Sequence, residues 1–152
     1  MTEFEMRVAG FDELDARTAY LLWQLRESVF VVEQSCPYPE LDGRDLEPGT
    51  RHVWAEYGGA PVAYLRLLED HDEARIGRVL VAAGHRGRGL AGRLMEVALD
   101  LVGDRPSRLD AQSYLARWYE RYGYEQTGPE FLDDGIPHVP MSRPAQSVRT
   151  RP

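Results

Sequence analysis

The sequence predicts an α+β (mixed α/β) domain, and three observations predict it. Short runs rich in β-branched and aromatic residues alternate with stretches of helical period. Gly58-Gly59 joins two of the runs as a tight hairpin would, so the early strands are antiparallel. The later passage from Arg75 to Ala111 has the strand–helix–strand form of a βαβ unit, so part of the sheet is parallel. A doubly wound sheet would not begin with hairpins.

Taken in order, Glu5 to Ala9 makes a first strand. Leu14, Thr18, Leu21, Leu22, Leu25 and Val29 recur at helical spacing, and Asp12 or Asp15 supplies the cap. Positions 33–50 carry prolines and glycines without an apolar period, which predicts a loop. Val53–Tyr57 and Val62–Leu68 are the hairpin strands, Glu69–Ala74 a polar turn, and Arg75–Val81 a buried strand. Leu90, Leu94, Val97, Ala98 and Leu101 mark an amphipathic helix over 89–102. A strand at Arg108–Ala111, a helix at Leu115–Tyr122 and strands near Tyr124 and Val139 follow. One domain over 1–143 is expected, with 144–152 a polar, Pro-ended tail.

Composition narrows the function classes. A chain of 152 residues, 43% hydrophobic, can bury roughly 70% of its unfolded surface in a single core. With no apolar run of about 18 residues and no charged leader, the expectation is a cytoplasmic protein without membrane partners. The single cysteine, Cys36, forms no internal disulfide and reads as a small hydrophobe beside Pro37. His52, His71, His85 and His138 lack close ligand spacing, so no metal is expected. All eighteen cationic residues are arginine, which removes Schiff-base chemistry, lysine bases and the P-loop lysine. A net charge of −7 argues against nucleic acid as a partner.

Against that acidity, positions 75–93 hold five arginines and no acid. The inversion centres on Arg86-Gly87-Arg88-Gly89-Leu90-Ala91, between the buried strand and the amphipathic helix. Glycines let a ligand approach the backbone, and the first-turn N–H groups of a helix lack internal acceptors, so this passage can cradle phosphate. Gly87-Arg88-Gly89-Leu90-Ala91-Gly92 also spells the dinucleotide fingerprint, with Asp110 eighteen residues further on. Three features oppose that reading. Ala82–Arg86 separate strand from glycines, half the chain precedes the motif, and only 42 residues follow Asp110.

Read from Arg86 to Ala91, the same letters give [Arg/Gln]-x-x-Gly-x-[Gly/Ala], which resembles the acetyl-CoA pyrophosphate loop of the GNAT N-acetyltransferases. About thirty residues on, Trp118-Tyr119-Glu120-Arg121-Tyr122-Gly123-Tyr124 resembles that family's late helix-to-strand signature. Gln112 stands where the family usually has an Asn seven residues before the tyrosine, and Leu115 replaces its usual Ala. Phe30–Asp42 and Asp134-Gly135-Ile136-Pro137-His138 with Met141 resemble hallmarks of the ElaA-like subgroup, so the match runs from about Met6 to Met141.

The resemblance implies a central, mostly antiparallel sheet whose fourth and fifth strands splay apart, flanked by helices. It implies acetyl-CoA as cosubstrate, its pantetheine arm on Val79, Leu80 and Val81 and its pyrophosphate at Arg86, Gly87, Arg88, Gly89, Leu90 and Ala91, with Gln112 beside the cofactor. Arg88 or Arg93 could reach further phosphate oxygens. The implied reaction is acetyl transfer to a primary amine of a small molecule or peptide, by a monomer or homodimer; a noncatalytic acyl-CoA-binding module of the same fold is the alternative.

Such a reaction asks three things of the protein. An ammonium of pKa about 10.4 must lose a proton, the tetrahedral oxyanion needs a donor, and the thiolate needs a proton or hydrogen bond. A strand N–H such as that of Val79 suits the oxyanion. Tyr119 stands where the family places its tyrosine acid. Proton donation from a phenol of pKa about 10 to a thiolate of about 8.5 is uphill by about 2 kcal/mol, small beside a catalytic barrier. Glu33, His138 or a bound water could act as base. Glu33, Glu40, Asp42, Asp45 and Glu47 face only Arg44 within 33–50, so this loop, with Tyr38, Glu40, Asp42 and His138, is expected to line an acceptor site that prefers cationic amines.

Overall fold

In the computed structural model, which describes residues 3–146, the strands join one eight-stranded sheet. β1 (Glu5–Ala9), β2 (Arg51–Tyr57), β3 (Ala60–Asp70) and β4 (Glu73–Val81) are successive antiparallel neighbours. β5 (Ser107–Gln112) lies parallel to β4, and β8 (Ile136–Arg143) antiparallel to β5. The short β6 (Glu125–Gln126) and β7 (Phe131–Asp133) pair with successive parts of the far edge of β8.

Each face of the sheet carries helix. α1 (Ala16–Glu27) starts at Asp15, whose carboxylate accepts the Thr18 N–H at 2.7 Å, so Asp15 and not Asp12 is the cap. Leu22 and Val29 pack on Ala9, Trp54, Tyr64 and Leu80 on one face. α2 (Leu90–Val102) buries Leu90, Leu94, Met95, Ala98 and Val102 on the other, against Val53, Ala55, Leu65 and Ile76. The two faces alternate along β2, as period-two side chains require. α3 (Ala116–Glu120), shorter than the expected 115–122, follows a 3-10 turn at Ser113–Leu115 and unwinds through the Tyr122 and Gly123 N–H bonds to Tyr119 and Glu120.

Three departures from expectation have local causes. Glu69–Ala74 is not a turn: Glu69 and Asp70 finish β3, Glu73 and Ala74 begin β4, and only His71 and Asp72 turn. The strand ends tolerate these acids because arginines answer them, Arg105 at Glu69, Arg44 at Asp70 and Arg108 at Glu73. After Glu27 the first helix widens into a π-helical turn, Ser28–Glu33, which sequence period does not signal. β7 is three exposed residues with no alternation to read. Of the expected tail, Pro144–Gln146 is described, with the Gln146 N–H bonded to Asp104 O at 2.8 Å; 147–152 lie outside the described residues.

Two features of β4 set up the site. It pairs with β5 only at Ala74↔Ser107 and Arg75↔Arg108, and from Ile76 onward the strands part. On its other edge the register steps from Gly77↔Arg66 to Leu80↔Tyr64, a bulge that sets Arg78 and Val79 against Leu65. Arg78 takes φ +54°, a left-handed conformation that costs a non-glycine residue about 1–2 kcal/mol.

Candidate functional site

The parting of β4 from β5 opens a cleft of about 290 Å³. Val79, Leu80 and Val81 form one wall with their β5-facing edge unpaired, and Trp118 and Tyr119 of α3 form the opposite wall. Phe30 and Gln34, at the end of the π-helical turn, close it from the α1 side. Arg86 and Ala91 lie at one end, which brings the glycine loop to the cleft.

The loop has the geometry that phosphate binding asks of it. Gly87 and Gly89 have φ +80° and +73°, and Gly89 is the N-cap of α2. The first helical bond runs from Arg93 N to Gly89 O, so the N–H groups of Leu90, Ala91 and Gly92 lack intrahelical acceptors. Gly92 matters for packing instead. A Cβ there would lie 2.9 Å from the Tyr122 hydroxyl, so the glycine lets α2 and α3 approach. Arg88 and Arg93 are exposed. Arg86 lines the cleft with its guanidinium already bonded, its Nε to Val81 O at 2.9 Å and its two Nη to Glu33 at 2.7 and 2.8 Å.

That pair relocates Glu33. Its carboxyl is held below the usual carboxylate value by the Arg86 hydrogen bonds, and it lines neither cavity. Glu33 anchors the loop to the π-helical turn.

A second cavity, about 210 Å³ and polar, adjoins the cleft. Of the residues expected at an acceptor site, Tyr38, Glu40 and His138 line it and Asp42 does not. The expected free acids are closed by arginines. Glu40 takes Arg26 at 2.9 Å and Arg78 at 2.6 Å, Asp42 takes Arg66 at 2.8 Å, and Asp45 takes Arg26 at 2.7 Å and Arg66 at 3.1 Å. Burial alone would raise the Asp42 and Asp45 carboxyls, but these guanidiniums outweigh it and hold both below their ordinary value. Glu40, Asp42 and Asp45 are therefore structural, and sequence could not show it because their partners lie on α1, β3 and β4. Asp110, the candidate ribose ligand of the dinucleotide reading, is likewise spent on Arg75 at 2.5 Å.

Sequence reasoning missed the acids without an ion pair here among the described residues: Asp133 and Asp134, at the β7–β8 turn. The Asp134-Gly135 turn signal was in view, but only the fold brings it to the cavity. His138 lies further along β8, beside Gln112 in the β5–β8 register. Its Nδ1 is 2.7 Å from Ile136 O, so Nδ1–H donates there and Nε2 keeps its lone pair. Phe131 stacks on the ring at 5.9 Å.

Six residues line both cavities: Phe30, Gln34, Val79, Gln112, Leu115 and Tyr119. Tyr64 and Tyr124 spend their hydroxyls on His52 and Ser107, whereas that of Tyr119 has no such partner among the described residues. Burial, with Tyr124 and Tyr114 nearby, pushes the Tyr119 phenol above its ordinary value, so it stays protonated.

Known proteins share this arrangement. The acetyltransferase (GNAT) domain family matches residues 24–144. A UPF0039 protein of Mycobacterium tuberculosis is 52% identical over the full length of both chains. Protein ElaA of Escherichia coli is 38% identical over 86% of this chain and 90% of its own, and its crystal structure superposes with a TM-score of 0.83 over 91% of this chain and 99% of that one. An acyl-CoA N-acyltransferase of Pseudomonas aeruginosa reaches a TM-score of 0.88 at 40% identity, over 93% of this chain and 99% of its own. The splayed sheet, the glycine loop and these likenesses agree: the chain belongs to the GNAT acetyltransferase family, among its ElaA-like members.

Proposed function

We propose that the chain is an acetyl-CoA-dependent N-acetyltransferase that acetylates a primary amine bound in the polar cavity. The observation that carries this reading is the shared wall: Val79, Gln112 and Tyr119 face both a cleft suited to the cofactor and a cavity suited to an amine. The residues present fit acetyl-CoA. Val79 and Leu80 offer extended amides a strand edge that β5 leaves unpaired, and Gly89 with the α2 N-terminus offers backbone N–H groups to a pyrophosphate.

Acetyl-CoA, when bound, supplies an activated thioester carbonyl. Around it, the protein's own groups divide the work. The Nε2 lone pair of His138 accepts the proton the ammonium must lose, a role that the sequence alone left open to Glu33 as well. The Val79 N–H, next to the bulge, donates to the carbonyl oxygen as negative charge develops there. The amine nitrogen would bond to the acetyl carbon as the carbon–sulfur bond breaks, the remaining N–H proton would pass to the sulfur to give the thiol, and the Tyr119 O–H would donate a hydrogen bond to the departing thiolate. Because the phenol is raised, a strong hydrogen bond serves better than complete proton transfer.

Asp133 and Asp134 favour a cationic acceptor, in place of the neutralised Glu40 and Asp42. The test is thiol release from acetyl-CoA over a panel of monoamines, diamines and peptides, with the acetylated product identified by mass. Amine-dependent release supports the reading. Tight acetyl-CoA binding with no release across the panel would favour a noncatalytic acyl-CoA-binding module.

A further inference from the structure

We infer that Arg78 is a positioning residue: clamped by Glu40, it holds the β4 bulge so that the Val79 N–H meets the thioester carbonyl. This rests on the acetyl-transfer reading above and adds to it a residue that borders the amine cavity and acts through the backbone it holds.

The bulge is where β4 has least support from its neighbours. Strand β5 has already parted from it, and the register with β3 is broken at this point. A glycine would take φ +54° without steric cost, yet the residue here is arginine. A chain that accepts the unfavourable backbone needs the side chain. That side chain is engaged through two of its three nitrogens: Nε donates to Glu40 Oε2 at 2.6 Å, and one Nη donates to the Glu40 backbone carbonyl at 2.9 Å and lies 3.5 Å from Asp42.

Glu40 is itself immobile. The same Oε2 accepts from Arg26 Nε at 2.9 Å, and Arg26, at 0% exposure, is tied to Asp45 at 2.7 Å. Asp45 also accepts from Arg66 of β3, which stands opposite Gly77. The clamp therefore runs from α1 through Glu40 to the bulge and returns to the neighbouring strand through Asp45 and Arg66. Three guanidiniums, of Arg26, Arg66 and Arg78, meet the three carboxylates of Glu40, Asp42 and Asp45, so the network adds no net charge to the cavity it borders. Its product is geometry: the bulge residue cannot relax toward an ordinary strand conformation without breaking these bonds.

Arg78→Gly isolates the side chain, since glycine keeps φ +54° without strain. The probe is acetyl-CoA labelled with carbon-13 at the thioester carbonyl, followed by difference infrared spectroscopy on the full chain. In the wild type, binding should lower the carbonyl stretch. In Arg78→Gly, acetyl-CoA affinity should stay within about threefold while the lowering is lost, and kcat should fall about 10- to 100-fold with KM for acetyl-CoA little changed. Glu40→Gln, which leaves the bulge residue in place, should reproduce the spectral loss and carries the test if Arg78→Gly does not fold. A wild-type carbonyl shift and kcat in the variant would overturn the clamp alone and make Arg78 a surface ion pair. Failure of the wild type to bind acetyl-CoA would overturn the acetyl-transfer reading and take the clamp with it.

Discussion

Tyr119 holds the most demanding position of any single residue, buried at 6% exposure and lining both cavities. Core packing and catalysis place different demands on it, and one substitution separates them. Tyr119→Phe keeps the edge-to-face contacts with Trp118 and Tyr124 and removes the hydroxyl. We expect kcat to fall about 10²- to 10⁴-fold with acetyl-CoA binding nearly intact; steady-state kinetics that show a wild-type kcat would return the residue to the core. His138 and Glu33 make a paired comparison. His138→Gln should lower kcat about 10²- to 10⁴-fold with acetyl-CoA binding unchanged, whereas Glu33→Gln should keep kcat and weaken acetyl-CoA binding, because its bond is to the loop residue Arg86. Tyr119 could be found from sequence because its spacing to Gly123 is local. The proposed role of His138 rests on its bond to the Ile136 carbonyl, which a linear pattern does not contain.

Among the elements, the hairpins and α2 were legible because each is set by a local period or a turn. The bulge, the π-helical turn and the ion pairs of the 33–50 loop were not, because partners far along the chain shape them. The buried network shows how strongly. Asp45, at 5% exposure, joins Arg26 of α1 to Arg66 of β3. Removing one partner of a buried ion pair leaves the other uncompensated, so Asp45→Asn should lower unfolding free energy by about 3 kcal/mol in denaturant titration. The pH dependence has a definite sign. The Asp42 and Asp45 carboxyls are lower in the folded protein than unfolded, so their stabilisation is complete above the ordinary carboxylate value and is lost as pH falls through the folded values. Wild-type stability should therefore decline on acidification below about pH 4, and Asp45→Asn should decline less steeply. An unchanged acid limb in the variant would show that Asp45 contributes nothing to it.

On the scale of the whole molecule, a sheet that splits at one end supplies two adjoining cavities, proposed for cofactor and amine, from a single set of strands. Charge is divided between them: exposed Arg88 and Arg93 beside the glycine loop, Asp133 and Asp134 at the other mouth. Asp133→Asn with Asp134→Asn should raise KM for a diamine more than for a monoamine, and the difference should shrink with salt, since exposed charges are screened over about 8 Å at physiological ionic strength. Equal changes in KM for both amines would place the acceptor elsewhere. Helix α2 shares the same logic, because its buried face fixes its N-terminus at the cleft.

The acetyl-CoA site at the head of α2 is the claim on which the rest stands, and thermal unfolding with added ligand tests it most directly. At about 100 times Kd, acetyl-CoA should stabilise the wild type by about 2.7 kcal/mol. Gly89→Asp puts a side chain and a negative charge on a residue at φ +73° in the cradle, and it should remove that stabilisation. The same gain from acetyl-CoA in Gly89→Asp, or a larger gain from NAD than from acetyl-CoA in the wild type, would contradict the assignment.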